Sequence, residues 1–145
     1  MELRKPKLSE VEQLFQIELE NYGADESTEI ETFHALVEFP EDYPGYQLMA
    51  LVDQDVLGFY CTIEEDEYVE LVDIAVKKDH QSRGLGSKLL EQCISAQGSM
   101  TMGLTVREDN RSAIALYKKF GFEQVEVVEG YYDDCHGLRL ERTVL

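Results

Sequence analysis

Residues 69–106 contain the stretch that most narrows what this chain can become. Val69-Glu70-Leu71-Val72-Asp73-Ile74-Ala75-Val76 reads as a buried strand, Lys77-Lys78-Asp79-His80 as a basic turn, and Gln81-Ser82-Arg83-Gly84-Leu85-Gly86-Ser87-Lys88 runs into the helical spacing of Leu89, Leu90, Cys93 and Ile94. Gln97-Gly98-Ser99 ends that helix, and residues 100–106 form a second strand, which a helical crossover makes parallel to the first. Gly84 and Gly86 free the backbone of side-chain bulk where the helix begins, so several N–H groups can converge on an anion with the helix dipole behind them. Such a turn suits a phosphate or pyrophosphate, although a tight turn without a ligand uses the same glycines. No Gly-Lys-Ser/Thr follows, as a Walker A loop requires, and Lys88-Leu89 stands where a dinucleotide G-x-G-x-x-G would end.

The flanking sequence builds outwards from this unit. Leu3-Arg4-Lys5 is a short strand ended by Pro6, and Ser9-Glu10-Val11-Glu12 has the pattern of a capping box. Val11, Leu14, Phe15, Leu19 and Tyr22 then recur at helical spacing, and residues 21–24 stop the helix. Ser27 is the expected cap of a second helix with Ile30, Phe33, Leu36 and Val37 inward, ending before Pro40. Residues 47–52 and 56–63 flank Asp53-Gln54-Asp55 as an antiparallel hairpin, and Glu64-Glu65-Asp66-Glu67 is an acidic turn. Ala113, Ile114, Leu116 and Tyr117 mark a last helix closed at Gly121, with two strands, residues 122–128 and 137–144, after it.

A chain of 145 residues can bury a core without disulfides or metal, so one domain over residues 1–145 is expected. Cys61, Cys93 and Cys135 are odd in number and lack any metal-ligand spacing, which points to a reducing compartment and to no metal. No run reaches the roughly 18 apolar residues of a membrane span, and the first residues lack a leader pattern, so a cytoplasmic protein without membrane contact is expected. A formal net charge of -17 repels a phosphate backbone, which argues against nucleic acid and leaves cationic partners open. The cations that are present bracket the glycine turn (Lys77, Lys78, Arg83, Lys88) or follow nearby (Arg107, Arg111, Lys118, Lys119).

Gln81-x-x-Gly84-x-Gly86 after Leu-x-x-Ile-Ala-Val resembles the acetyl-CoA pyrophosphate loop of the GNAT superfamily of N-acetyltransferases. Val106-Arg107-Glu108-Asp109-Asn110-Arg111-Ser112-Ala113, continuing through Leu116-Tyr117 to Gly121-Phe122, is similar to that superfamily's V-R-x-x-N-x-x-A-x-x-L-Y-x-x-x-G-F segment. The Arg-Asn segment, Tyr131-Tyr132 and the Ile-Ala-Val strand look most similar to the ribosomal-protein alanine N-acetyltransferase branch. One departure is Thr105, which stands where that branch carries a glutamate as general base. The resemblance implies a single-domain α/β (α+β) fold: a mixed, mostly antiparallel sheet of about seven strands with four helices, in the order β-α-α-β-β-β-α-β-α-β-β.

The resemblance also implies an enzyme that moves acetyl from acetyl-CoA, as co-substrate, to a primary amine by direct transfer. It assigns pyrophosphate binding to Gln81, Ser82, Arg83, Gly84, Leu85, Gly86 and Ser87. Ile74, Ala75, Val76 and Asn110 would hold the pantetheine arm, with a bulged strand offering a free N–H to the thioester carbonyl. Tyr117 would lie near the sulfur, where a phenol can protonate a departing thiolate, although a helical tyrosine can equally be core. Glu70, placed as the glutamate of the histone acetyltransferase branch is, would be the base if the groove buries it, and a solvent-facing carboxylate otherwise. Asp73, His136 and Glu108 are weaker candidates for that role, and Asp42, Tyr43 and Tyr46 could touch the acceptor or belong to a surface loop. The acceptor could be a protein N-terminus, a lysine or a cationic small molecule, and the protein a monomer or homodimer. A non-catalytic acyl-CoA sensor or assembly subunit, supported by Thr105, is one rival, and a nucleotide-binding regulator is another.

Overall fold

The computed structural model describes residues 1–144. Its elements follow the expected order: β1 (Glu2–Arg4), α1 (Val11–Glu26), α2 (Ile30–Glu38), β2 (Tyr46–Asp53), β3 (Asp55–Glu65), β4 (Tyr68–Val76), α3 (Leu85–Ala96), β5 (Thr101–Arg107), α4 (Arg111–Lys119), β6 (Glu123–Val128) and β7 (Gly137–Arg142). The strands form one sheet in the order β1-β2-β3-β4-β5-β7-β6, with β4 and β5 its parallel pair. Gln54 with φ 68° closes the β2–β3 hairpin, and Asp66 and Glu67 with φ 52° and 64° close β3–β4.

The alternation of side chains along β3 and β4 divides the core between two faces. Tyr60, Val69 and Leu71 point to one face, where Leu85, Leu89, Leu90 and Cys93 of α3 and Tyr117 of α4 cover them. Phe59, Cys61 and Ala75 point to the other, beneath Val11, Leu14 and Ile17 of α1 and Phe33 of α2. Three layers result, with the sheet in the middle.

Local chemistry corrects the helix ends. Glu10, not Glu12, reaches back: its Oε1 accepts from Lys7 N at 2.8 Å while Arg4 holds both its oxygens at 2.8 Å. Ser9 therefore lies inside a 3-10 turn (Leu8–Glu10) and caps nothing. Ser27 is likewise no cap, since α2 starts at Ile30 and the Ser27 hydroxyl donates to the Gly23 and Glu18 carbonyls. Gly23, at φ 73° and ψ 170°, breaks α1 within the span where a stop was expected. The buried stripe of α1 runs through Val11, Leu14, Ile17 and Glu18, so a carboxylate takes an inward position assigned above to Leu19 and Tyr22.

Two irregularities open the middle of the sheet. Cys61 faces Asp73 but Thr62 faces Leu71, so Val72 is an extra residue that bulges from β4. The parallel ladder of β4 and β5 consists of Tyr68↔Thr101, Val69↔Met102 and Glu70↔Gly103 and then stops, although both strands continue. The bulge expected from the resemblance lies just before Ile74, Ala75 and Val76, which line the splayed edge that follows.

Close packing of α3 on β3 requires a residue without a side chain. A Cβ on Gly58 would stand 2.8 Å from both the Ala75 carbonyl oxygen and Leu89 Cδ1. Gly58→Ala should cost about 1–3 kcal/mol in urea unfolding, the range of an overpacked core; an unchanged midpoint would show that α3 sits farther from the sheet.

Candidate active site

A cleft of about 970 Å³ occupies the gap between β4 and β5. Its walls include the end of α1, the start of α3, the inner face of α4 and the segment linking β6 to β7. Gln81, Ser82 and Gly86 line it, as do Ile74, Ala75, Val76, Asn110 and Tyr117. Glu70, Arg83, Gly84, Leu85 and Ser87 are not among its lining side chains.

The glycine turn supplies bare amides. Ser82 and Gly84 adopt φ 68° and 77°, no side chain caps α3, and its first backbone bond is Lys88 N to Gly84 O at 3.0 Å. The N–H groups of Leu85, Gly86 and Ser87 thus have no helical acceptor. A Cβ on Gly86 would meet nothing nearer than 4.0 Å, so this glycine is not demanded by packing, and the space it leaves adjoins the cleft. Gln81 anchors the turn: its Nε2 donates to Val76 O and to Asn21 Oδ1, both at 3.1 Å. Leu85 turns into the core, and Arg83 lies 3.3 Å from His80 Nδ1.

Asn110 caps α4 by accepting from Ala113 N at 3.3 Å, and it also lines the cleft. Tyr117 packs edge-on to Phe122, with centroids 5.7 Å apart. Burial, followed by Asp73, Cys93 and Tyr132, raises its phenol well above the usual range, so it stays protonated at any physiological pH.

Glu70 is placed differently from the expectation. Arg139 Nη1 and Nη2 hold its two oxygens at 2.6 and 3.0 Å, and the same guanidinium donates to Thr105 Oγ1 at 3.1 Å and to Tyr68 Oη at 2.6 Å. Both carboxylate oxygens are thereby occupied, outside the cleft lining. Gly103 belongs to this arrangement, since a Cβ there would overlap the Tyr68 hydroxyl. His136 is a turn residue whose Nδ1 accepts from Gly130 N at 2.9 Å, and Tyr43 and Tyr46 pack edge-on to each other outside the cleft lining.

Arg107 lines the cleft but is engaged by three carboxylates. It bonds Glu26 at 2.6 Å, Asp109 at 3.0 Å and Asp134 at 2.9 Å, and its guanidinium carbon lies 5.1 Å from the Tyr132 ring centroid. One cation thus ties the end of α1 and the β6–β7 segment to the end of β5.

Sequence reasoning missed the contribution of α1. Tyr22 Oη donates to Ile74 O at 2.6 Å, Asn21 Nδ2 donates to Val76 O at 3.0 Å, and Glu18 lies buried in the cleft wall near Asp73. Glu18, Asn21 and Tyr22 share one helical face by their spacing, and an acidic residue among Val11, Leu14 and Ile17 was the available signal. Burial, and then the Glu18 carboxylate hydrogen-bonded to it, push the Asp73 carboxyl up to about 9.

The model of the acetyltransferase (GNAT) family matches residues 10–122. The chain is 37% identical over 100 residues to the bS18-alanine N-acetyltransferase of Salmonella typhimurium, a stretch covering 67% of this chain and 66%, just under two thirds, of that protein. It is 29% identical over an alignment of 152 residues to the N-alpha-acetyltransferase of Sulfurisphaera tokodaii, covering 91% of this chain and 86% of that one. The crystal structure of the ribosomal-protein-S18-alanine N-acetyltransferase from Escherichia coli has the same fold, with a TM-score of 0.82 at 23% identity over 99% of this chain and 93% of that chain.

The raised Asp73 carboxyl has a consequence for stability. The folded state keeps a proton that an unfolded aspartate releases near pH ~3.9, so its contribution is full below that pH and declines as pH rises towards about 9. Asp73→Asn keeps an acceptor for Thr28 without the charge. Calorimetry should find its melting temperature above wild type at pH 9 with no such gain at pH 4; the reverse order would mean that Asp73 is ionised in the fold.

Proposed function

The chain belongs to the acetyltransferase (GNAT) family, and on that premise we propose that it transfers acetyl from acetyl-CoA directly to a primary amine, with both substrates in the cleft between β4 and β5. The observation that carries this reading is that one cleft gathers bare amides at the start of α3, the unpaired edge of β4 and a protonated tyrosine. The helix start suits the diphosphate of the coenzyme, and the open edge at Ile74, Ala75 and Val76, together with Asn110, suits its amide-bearing arm.

Tyr117 is assigned the proton donor to the departing thiolate. Burial keeps the phenol protonated, so its O–H is available to the sulfur as the C–S bond breaks. With Glu70 held by Arg139 and Thr105 at the branch's glutamate position, neither is assigned the proton abstraction. The amine we favour is a polypeptide N-terminus, since the relatives just described are named for alanine and for N-alpha acetylation.

Calorimetric titration with CoA and thiol-release rates against N-terminal peptides, free lysine, spermidine and aminoglycosides test the reading. Saturable binding with turnover is expected, best with peptides; binding without turnover by any amine would favour a sensor or assembly role. Gly86→Ala should leave stability equal or higher, because helices favour alanine, yet weaken CoA binding at least about tenfold by filling the space beside the amides. Tyr117→Phe should leave CoA affinity intact while lowering kcat by about 10²-fold or more; unchanged kcat would remove it as the proton donor.

A further inference from the structure

Glu18 of α1 and Asp73 of β4 lie together in the cleft wall, and the proposed reaction so far leaves both unused. They are 1% and 9% exposed, and no lysine, arginine or histidine pairs with either one among the described residues. Thr28 joins them: its N–H donates to Glu18 Oε2 at 2.7 Å and its hydroxyl to Asp73 Oδ2 at 3.2 Å. Glu18 Oε1 is buried with no hydrogen-bond partner, and its carboxylate raises the neighbouring Asp73 carboxyl. Two carboxyl groups desolvated together without a cation oppose folding, and an ammonium group is the ligand that relieves them.

From this geometry we propose that Glu18 and Asp73 seat the ammonium group of the acceptor and remove its proton, an inference that rests on the transferase reading above. The other titratable groups facing the pair are the Tyr22, Tyr117 and Cys61 side chains, which are neutral at physiological pH because burial raises each of them. Burial and the neighbouring Glu18 therefore leave the Asp73 carboxyl holding its proton before substrate arrives. An ammonium placed against the pair stabilises the fully ionised form, so that proton leaves to solvent. One N–H bond of the ammonium then breaks and its proton passes to the pair. The freed nitrogen lone pair forms the C–N bond to the thioester carbonyl carbon as the C–S bond breaks. The thiolate takes the Tyr117 proton, and the proton shed by the nitrogen as the amide forms replaces it. Burial raises the Asp73 carboxyl, which strengthens it as an acceptor for the amine's proton.

The test compares an alanyl peptide with the same peptide carrying 3,3,3-trifluoroalanine first, whose fluorines leave the amine unprotonated at neutral pH. At pH 7, Glu18→Gln and Asp73→Asn should each lower kcat/KM for the alanyl peptide by about 10²-fold or more, but for the fluorinated peptide by less than about threefold, with CoA affinity unchanged. Equal losses for both peptides would mark a structural role, and no loss for either would exclude the pair from the reaction; both overturn the inference while leaving the transferase reading intact. Absence of turnover in wild type overturns both. Should the variants not fold, calorimetry on the unmodified protein with CoA, in buffers of different ionisation enthalpy, should show about one proton released on binding the alanyl peptide and none with the fluorinated one. Zero release with the alanyl peptide overturns the proposal.

Discussion

Everything in this molecule follows from a ladder that stops early. β4 and β5 pair through three residues and then diverge, leaving backbone groups along a gap in the middle of the sheet. Unpaired groups there are costly unless something reaches them. Side chains from other elements do so at the carbonyls, where Tyr22 takes Ile74 O and Asn21 with Gln81 takes Val76 O. The opening is therefore braced on one side and left available on the other, which is what a substrate needs in order to complete a sheet edge.

Charge is distributed to the same end. The protein carries -17 formally, yet three of its six arginines are spent on its own carboxylates: Arg4 on Glu10, Arg107 on Glu26, Asp109 and Asp134, and Arg139 on Glu70. Glu18 and Asp73, both buried in the cleft wall, are left without a counter-ion among the described residues. In a chain with so many carboxylates, the informative ones are those that water cannot reach.

The strand, glycine turn and helix were readable in the sequence because each rests on local chemistry: apolar alternation in Val69, Leu71 and Ala75, and backbone freedom at Gly84. The seven strands and four helices follow from such signals, and the family resemblance adds Tyr117 and Asn110. What could not be read depends on partners distant in sequence. Glu70 looked like a free carboxylate until Arg139, 69 residues away, was found holding both its oxygens. Glu18 drew no notice in the sequence, because only the fold brings Thr28 and Asp73 against it. Ser9 and Ser27 fit capping patterns, but Glu10 bound by Arg4 and Gly23 with its positive φ fixed the helix ends elsewhere.

The strand order has a bearing on how the chain acquires its shape during synthesis. β7 lies between β5 and β6 and pairs with both, so the strand made before it has no neighbour to join until residues 137–142 emerge. Until then the β5 side of the gap is an exposed border, and Val125 and Val127 of β6 face water. A nascent chain halted near residue 130 would hold a finished half-sheet with a sticky margin, a substrate for chaperones, and a late frameshift would disable the whole molecule although the glycine turn and its tyrosine had already been made.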